Sequence, residues 1–404
     1  MVQRMTADEV RGLSGLVDLV VERVTAPVEG MHRAIADRSL SWTGPTGQPA
    51  RRVFDGTIAA LYDVIRLGGS VVGAAIGLAA GARADSSIET PSKRKVQAAV
   101  NATWGDELVQ RDNALRIDMG IRQPGGALVE LTPVSVTADF PSATSRIVVL
   151  VHGLGRTEDC WLSKDGRAGL WDRLATDSSV TPVMVRYNSG RHVSDNGADL
   201  AEILEQLWRC WPVSIESVTL VGHSMGGLVI RSACQVGKAA GNEWIDGLDH
   251  VITVATPHLG APLEKAVNIV SWGLRATPES SPLAEFLDAR SAGIKDLRFG
   301  RIVAGDWSET EQSTLFQNSP ADPPPLPDVQ HHFVAAVVTR DPRHPVGAMF
   351  GDLMVRAASG TGRGRLRKIE ATDTQVLGGR RHFDLLHDSE IQGQIVEWLD
   401  VSEG

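Results

Sequence analysis

Residues Arg146–Val151 read Arg-Ile-Val-Val-Leu-Val. After Arg146 no polar residue interrupts the run, so neither face of such a strand can be meant for water. A continuous β-branched segment of this kind belongs in the middle of a parallel sheet covered by helices on both faces. Similar runs recur at residues 182–186, 217–221, 250–256 and 333–339, with a last one near 374–377. Helical spacing fills the intervals. It is seen around Leu170 and Leu174, then at Leu200, Ile203, Leu204, Leu207 and Trp208, along the stretch from Met225 toward Gly241, and finally through Ile391, Ile395, Trp398 and Leu399. Strands alternating with helices predict an α/β fold with a doubly wound, mostly parallel sheet. Looser alternation over residues 126–136 suggests one or two edge strands opening that sheet, which places a sheet domain over 126–404.

Two regions stand outside this rhythm. Between Pro257 and His331 it stops: helical patterns at 263–274 and 283–287 and a proline-rich run at 319–327 follow a strand whose C-terminal end should face a site. A cap or lid insertion over about 259–330 is the expectation, with a purely structural insertion as the alternative. Residues 1–125 read as a helical accessory region. Thr6 and Glu9 suit a capping box, and Val10, Leu13, Val17, Val20 and Val24 form an apolar stripe ending near Pro27. From residue 67 to 82 no charge occurs, and Gly69, Gly73, Gly77 and Gly81 would line one helix face. Such a stripe permits close helix contact, but about 20 apolar residues are needed to span a bilayer and this run is shorter. A buried close-packed helix is favoured for it, with a peripheral membrane contact, a homo-oligomer contact and, least, a full span as alternatives. The charged stretch 85–95 reads as a solvated linker.

Composition removes some function classes. With 40 basic and 49 acidic side chains, net −9, there is no electrostatic footprint for nucleic acid, and no nucleic-acid partner is expected. Cys160, Cys210 and Cys234 fit neither a disulfide framework nor a zinc site, and the histidines do not repeat at a ligand spacing, so no metal and no cofactor are expected. The first residues lack the apolar core of a secretory leader, which suggests a cytoplasmic home with membrane association left open.

The chemistry centres on Gly222-His223-Ser224-Met225-Gly226, set between a strand pattern and a helix pattern. Gly-x-Ser-x-Gly alone is weak in a chain with 41 glycines. In that setting it reads as a nucleophile elbow, a sharp turn that leaves a serine hydroxyl exposed. A serine hydroxyl needs a base to take its proton and a carboxylate to orient the base. In the order serine, acid, histidine, the candidates are Asp352 and His382; Asp341 in Thr-Arg-Asp-Pro is a second choice for the acid and His387 for the base. The oxyanion requires two fixed donors. Met225 N–H at the helix start and Leu154 N–H in the glycine-rich turn after Val151 are the expected pair. Basic runs at residues 363–368 and 380–381 flank the stretch from acid to base and suit either a solvated loop or anionic headgroups.

Taken together, His152-Gly153-Leu154-Gly155, Gly222-His223-Ser224-Met225-Gly226-Gly227 and Ala255-Thr256-Pro257-His258-Leu259-Gly260-Ala261-Pro262 resemble the lipase and esterase branch of the α/β-hydrolase superfamily, and within it the inositol-deacylase-like group. The resemblance covers residues 146 to 404. It implies that a Gly-Asp-x-x-Val segment carries the acid and a His-Phe-Asp-Leu-Leu segment the histidine, which fall on Asp352 and His382. The acid segment lacks the second glycine of many lipases. The expected activity is that of a serine carboxylic-ester hydrolase acting on a small-molecule ester or lipid. An acyltransferase or thioesterase with the same triad is one rival. A catalytically silent, membrane-associated binding module is the other.

Overall fold

The computed structural model describes residues 90–260, 291–297, 300, 302, 323–364 and 367–399, together with residues 12 and 15. The apolar stripe near the N-terminus, the glycine run 67–82 and the expected helices at 263–274 and 283–287 lie outside the described residues. The chain divides into two compact units. One comprises Met1–Ile88, Glu107–Arg116 and Lys265–Arg290; the other comprises Glu89–Asp106, Ile117–Glu264 and Ser291–Gly404 and carries the sheet.

Seven strands form that sheet: β1 (Gly120–Arg122), β2 (Arg146–Val151), β3 (Thr181–Arg186), β4 (Ser217–His223), β5 (Leu248–Val254), β6 (Gln330–Val337) and β7 (Asp373–Gly378). Their order is β1-β3-β2-β4-β5-β6-β7, with only β1 antiparallel to its neighbour. The parallel runs predicted from β-branched content are all present, and their buried residues make apolar layers on both faces of the sheet. Chain order reverses direction across the sheet at β2, since β3 lies on one side of it and β4 on the other. That places a crevice at the C-terminal ends of β2 and β4, where doubly wound sheets gather ligands. The pairing Val151↔Gly222 fixes those ends side by side.

Helices α1 (Pro91–Gln110), α2 (Pro133–Asp139), α3 (Leu170–Ala175), α4 (Val193–Cys210), α5 (Met225–Ala240), α6 (Ala292–Leu297), α7 (Pro345–Phe350), α8 (Ala357–Gly360) and α9 (Ser389–Trp398) complete the described elements, with three short 3₁₀ turns. Helix α5 follows β4 directly and stops at Gly241, whose left-handed backbone lets its N–H close on the Gly237 and Lys238 carbonyls. Helix α9 starts at Asp388, whose carboxylate accepts from the Glu390 and Ile391 N–H groups.

Two sequence expectations need correction. The edge strand is not in residues 126–136: β1 precedes that stretch, and residues 133–139 are helical because Pro133 occupies the first turn and the Thr132 hydroxyl caps the Ser135 N–H. The charged stretch ending at Lys95 is not wholly a solvated linker. From Pro91 it is the first turn of α1, with Lys93 N–H on the Thr90 hydroxyl at 3.4 Å. Arg94 is buried there, because Asp159 takes its guanidinium in two hydrogen bonds of 2.9 and 2.8 Å and the Gly125 carbonyl takes a third at 2.7 Å.

Candidate active site

Strand β4 delivers Ser224 to the C-terminal edge of the sheet. Its backbone sits at φ 54° and ψ −121°, a region that non-glycine residues seldom occupy and that costs on the order of 1–3 kcal/mol. Neighbours hold it there. Ser224 N–H donates to the Val254 carbonyl at 2.8 Å, and the Gly227 N–H donates back to the Ser224 carbonyl at 3.1 Å. The flanking glycines are required by close approach: a Cβ on Gly222 would lie 2.6 Å from the Gly227 nitrogen, and one on Gly226 would meet the carbonyls of Val151 and His152. The residue that follows, Met225, opens α5, so its N–H has no acceptor within the helix and points out of the helix start.

The turn after β2 presses against this elbow. A Cβ on Gly153 would stand 3.1 Å from Ser224 Cβ and 3.1 Å from His223 Nδ1, so the turn containing Leu154 lies in contact with the serine. Its shape is fixed by His152. The Tyr187 N–H donates to His152 Nε2 at 3.3 Å, the Tyr187 hydroxyl donates to the His152 carbonyl at 2.9 Å, and His152 Nδ1–H reaches the Gly153 carbonyl at 2.9 Å. Those bonds require the neutral imidazole. Burial agrees, pushing His152 down to about 4. One residue further on, the Gly155 N–H donates to the Ser189 hydroxyl at 3.0 Å.

Beyond the turn lies a buried charge cluster. Glu158 is fully buried and accepts from Arg186 Nε at 2.7 Å, while Arg186 Nη2 bonds its other oxygen and Arg94 Nε stands 3.8 Å away. Burial alone would raise the Glu158 carboxyl, but hydrogen bonding and charge from Arg186 outweigh it and hold it below the usual range.

Asp352 and His382 come from two different crossings and meet. His382 Nδ1 and Asp352 Oδ2 are 2.7 Å apart, both side chains are buried, and the His382 N–H also donates to the Asp352 carbonyl at 3.1 Å. The other carboxylate oxygen, Oδ1, accepts from the Met354 N–H at 2.9 Å and the Val355 N–H at 2.8 Å. The acid is thus aimed by its own turn. His382 Nε2 is buried and has no hydrogen-bond partner among the described residues. His223, the residue before the serine, bonds the His382 carbonyl through Nε2 at 3.2 Å and so ties the histidine loop to the elbow. Burial, then the neighbouring His382, pushes His223 well below the ordinary histidine value, so it acts as a neutral strut.

The second choices lie elsewhere. Asp341 is exposed and uses a carboxylate oxygen to accept from the Arg343 N–H at 2.9 Å, as in a turn. His387 bonds the Leu162 carbonyl at 3.0 Å at the end of a short 3₁₀ turn. Arg380, from the basic run, is occupied by Asp388 at 3.0 Å and Glu390 at 2.7 Å. Tyr187, Ser189, Glu158, Arg186 and Arg94 escaped the sequence reading; Glu158 and Arg186 carry a signal only as charges next to apolar runs. Among the described residues no group of three or more His, Cys, Asp or Glu side chains is placed to hold a metal ion.

Comparison with known proteins agrees with the fold. The model of the alpha/beta hydrolase family matches residues 148–391. A curated triacylglycerol lipase of Burkholderia plantarii is 26% identical over 202 residues, which is 49% of this chain and 50% of that protein. This chain therefore spans about half the length of the relative it matches. Among solved structures, a lipase of Bacillus licheniformis in propeptide form is similar with a TM-score of 0.42 at 17% identity, covering 65% of this chain and 51% of that one. An esterase of Pyrobaculum calidifontis is similar with a TM-score of 0.35 at 16% identity, covering 64% and 75%.

Proposed function

The chain belongs to the alpha/beta hydrolase family, and on that premise we propose that it is a serine carboxylic-ester hydrolase of the lipase or esterase type. Ser224 Oγ attacks the ester carbonyl while His382 Nε2 takes its proton. Asp352 keeps the imidazole in the tautomer with hydrogen on Nδ1 and stabilises the imidazolium. The Leu154 and Met225 N–H groups receive the carbonyl oxygen as it becomes negative. The C–O bond to the alcohol then breaks, the alcohol leaves with the proton from His382, and the acyl group stays on Ser224. Water, deprotonated by the same imidazole, releases the acid and restores the serine.

The observation that carries this reading is the buried 2.7 Å pair of His382 and Asp352, with Nε2 left without a partner among the described residues, on a loop bonded to the residue before a strained serine. An apolar or lipidic acyl group suits a chain whose relative is a triacylglycerol lipase, and residues 259–330, leaving the sheet at the end of β5, are proposed to cap the site. The test is hydrolysis of chromogenic esters of graded acyl length by the full chain. Turnover lost in Ser224→Ala is expected. No cleavage at any length, or equal cleavage by the variant, would reject the reading.

A further inference from the structure

Arg156 follows the Leu154 turn by two residues, and its N–H donates to the Gly153 carbonyl at 3.2 Å. Its guanidinium lies over the ring of Phe383, 4.1 Å from the centroid. Phe383 in turn stands edge-on to the imidazole of His382, with ring centroids 5.1 Å apart, and is 45% exposed. The cation is therefore held at the rim of the site on a ring that touches the base. Among the described residues its guanidinium makes no ion pair and no hydrogen bond. Arg380, by contrast, is neutralised by two carboxylates. A guanidinium stacked on an aromatic face keeps its edge N–H groups free in one plane, which is the arrangement that grips a carboxylate or phosphate with two hydrogen bonds.

The side of the ester it faces follows from the chemistry. His382 hands its proton to the leaving alcohol, so groups packed against the imidazole flank the alcohol half of the substrate, whereas the acyl half extends away from Ser224. We propose that Arg156 is a specificity residue that binds an anionic group, carboxylate or phosphate, on the alcohol half of the ester. This inference rests on the ester-hydrolase reading and deepens it. A cation without a partner among the described residues makes the preferred substrate an acyl ester of an anionic alcohol.

The test compares 3-carboxyphenyl butyrate with its methyl ester, which share reacting atoms and differ by one charge on the alcohol side. The full chain should favour the anionic ester in kcat/KM by about tenfold, the size of one charge-assisted contact at a partly exposed site. That ratio should shrink with salt, fall to near one in Arg156→Gln, and drop below one in Arg156→Glu. A second arm places the charge on the acyl side, with 4-nitrophenyl hydrogen glutarate against its methyl ester; there the Arg156→Gln ratio should stay as in the parent. A third arm, phosphatidylglycerol against diacylglycerol in neutral detergent micelles, distinguishes a lipid headgroup as the source of the anion from a soluble ester; a preference in either arm that is lost in Arg156→Gln supports the assignment. If Arg156→Gln lowers both members of the first pair equally, Arg156 only props Phe383 and the proposal is overturned. If the parent cleaves none of these esters, the ester-hydrolase reading falls and takes this one with it.

Discussion

Replacing Glu158 by glutamine tests whether the charge cluster behind the turn after β2 holds the molecule together. The change is isosteric and removes one charge. In the parent, Glu158 is fully buried, takes both N–H groups of one edge of Arg186 and lies 3.8 Å from Arg94 Nε. Glutamine keeps one acceptor oxygen but turns an NH₂ group toward the other guanidinium N–H, so a donor meets a donor. Two buried guanidinium groups are left with one carboxylate fewer. Removing one partner of a buried pair costs about 3–5 kcal/mol, and some of that is recovered here because Asp159 still binds Arg94, so about 3 kcal/mol is expected. For a unit of this size that lowers Tm by about 6–12 °C. Calorimetry on parent and variant at pH 7 reads it directly. The double variant Glu158→Gln with Arg186→Met should recover part of the loss, because both charges are then gone. A Tm within about 2 °C of the parent for Glu158→Gln would show that the cluster is not what this packing says it is.

Asp352→Asn should lower kcat by about 10⁴ with little change in KM, because an amide facing Nδ1 favours the wrong imidazole tautomer, while Asp341→Asn should leave kcat within about twofold; steady-state kinetics on one chromogenic ester decides it, and the reverse ranking would move the acid to Asp341. Stability should fall with acid below neutrality. His152 is neutral in the fold and held down to about 4 by burial, so the unfolded chain binds the extra proton first: its contribution is complete above about pH 6.5, shrinks as pH falls toward 4, and amounts to about 3 kcal/mol at most. His331 and His332, also pushed down to about 4 by burial, add in the same direction. Urea midpoints at pH 7, 6, 5 and 4 should decline steadily, and a flat profile would contradict neutral burial of these rings.

Periodicity and the elbow make the sheet legible because β2 to β6 are buried on both faces almost throughout, and a strand of that kind has few other places to go. The same signal misplaced the edge strand. A two-sided run announces itself, but β1 is three residues long, and the alternation at 126–136 was overridden by Pro133 and the Thr132 cap. Asp352 and His382 were legible through local motifs that place each on its own turn; that they meet at 2.7 Å is a product of tertiary structure. In the sequence Arg94 looks like a solvated charge, since its partners lie 64 and 65 positions away in Glu158 and Asp159. Arg156 had the same disguise: nothing in Gly-Leu-Gly-Arg announces a ring at position 383 beneath it.

The proposed chemistry stands or falls with Ser224 as a nucleophile activated by His382. Labelling of the native full chain with a fluorophosphonate probe measures this most directly, since the probe needs an activated serine and no knowledge of the substrate. One label per chain is expected, located on the peptide that holds Ser224, abolished in Ser224→Ala and slowed by orders of magnitude in His382→Ala. A native chain that takes no label, or a label that persists in Ser224→Ala, would contradict it.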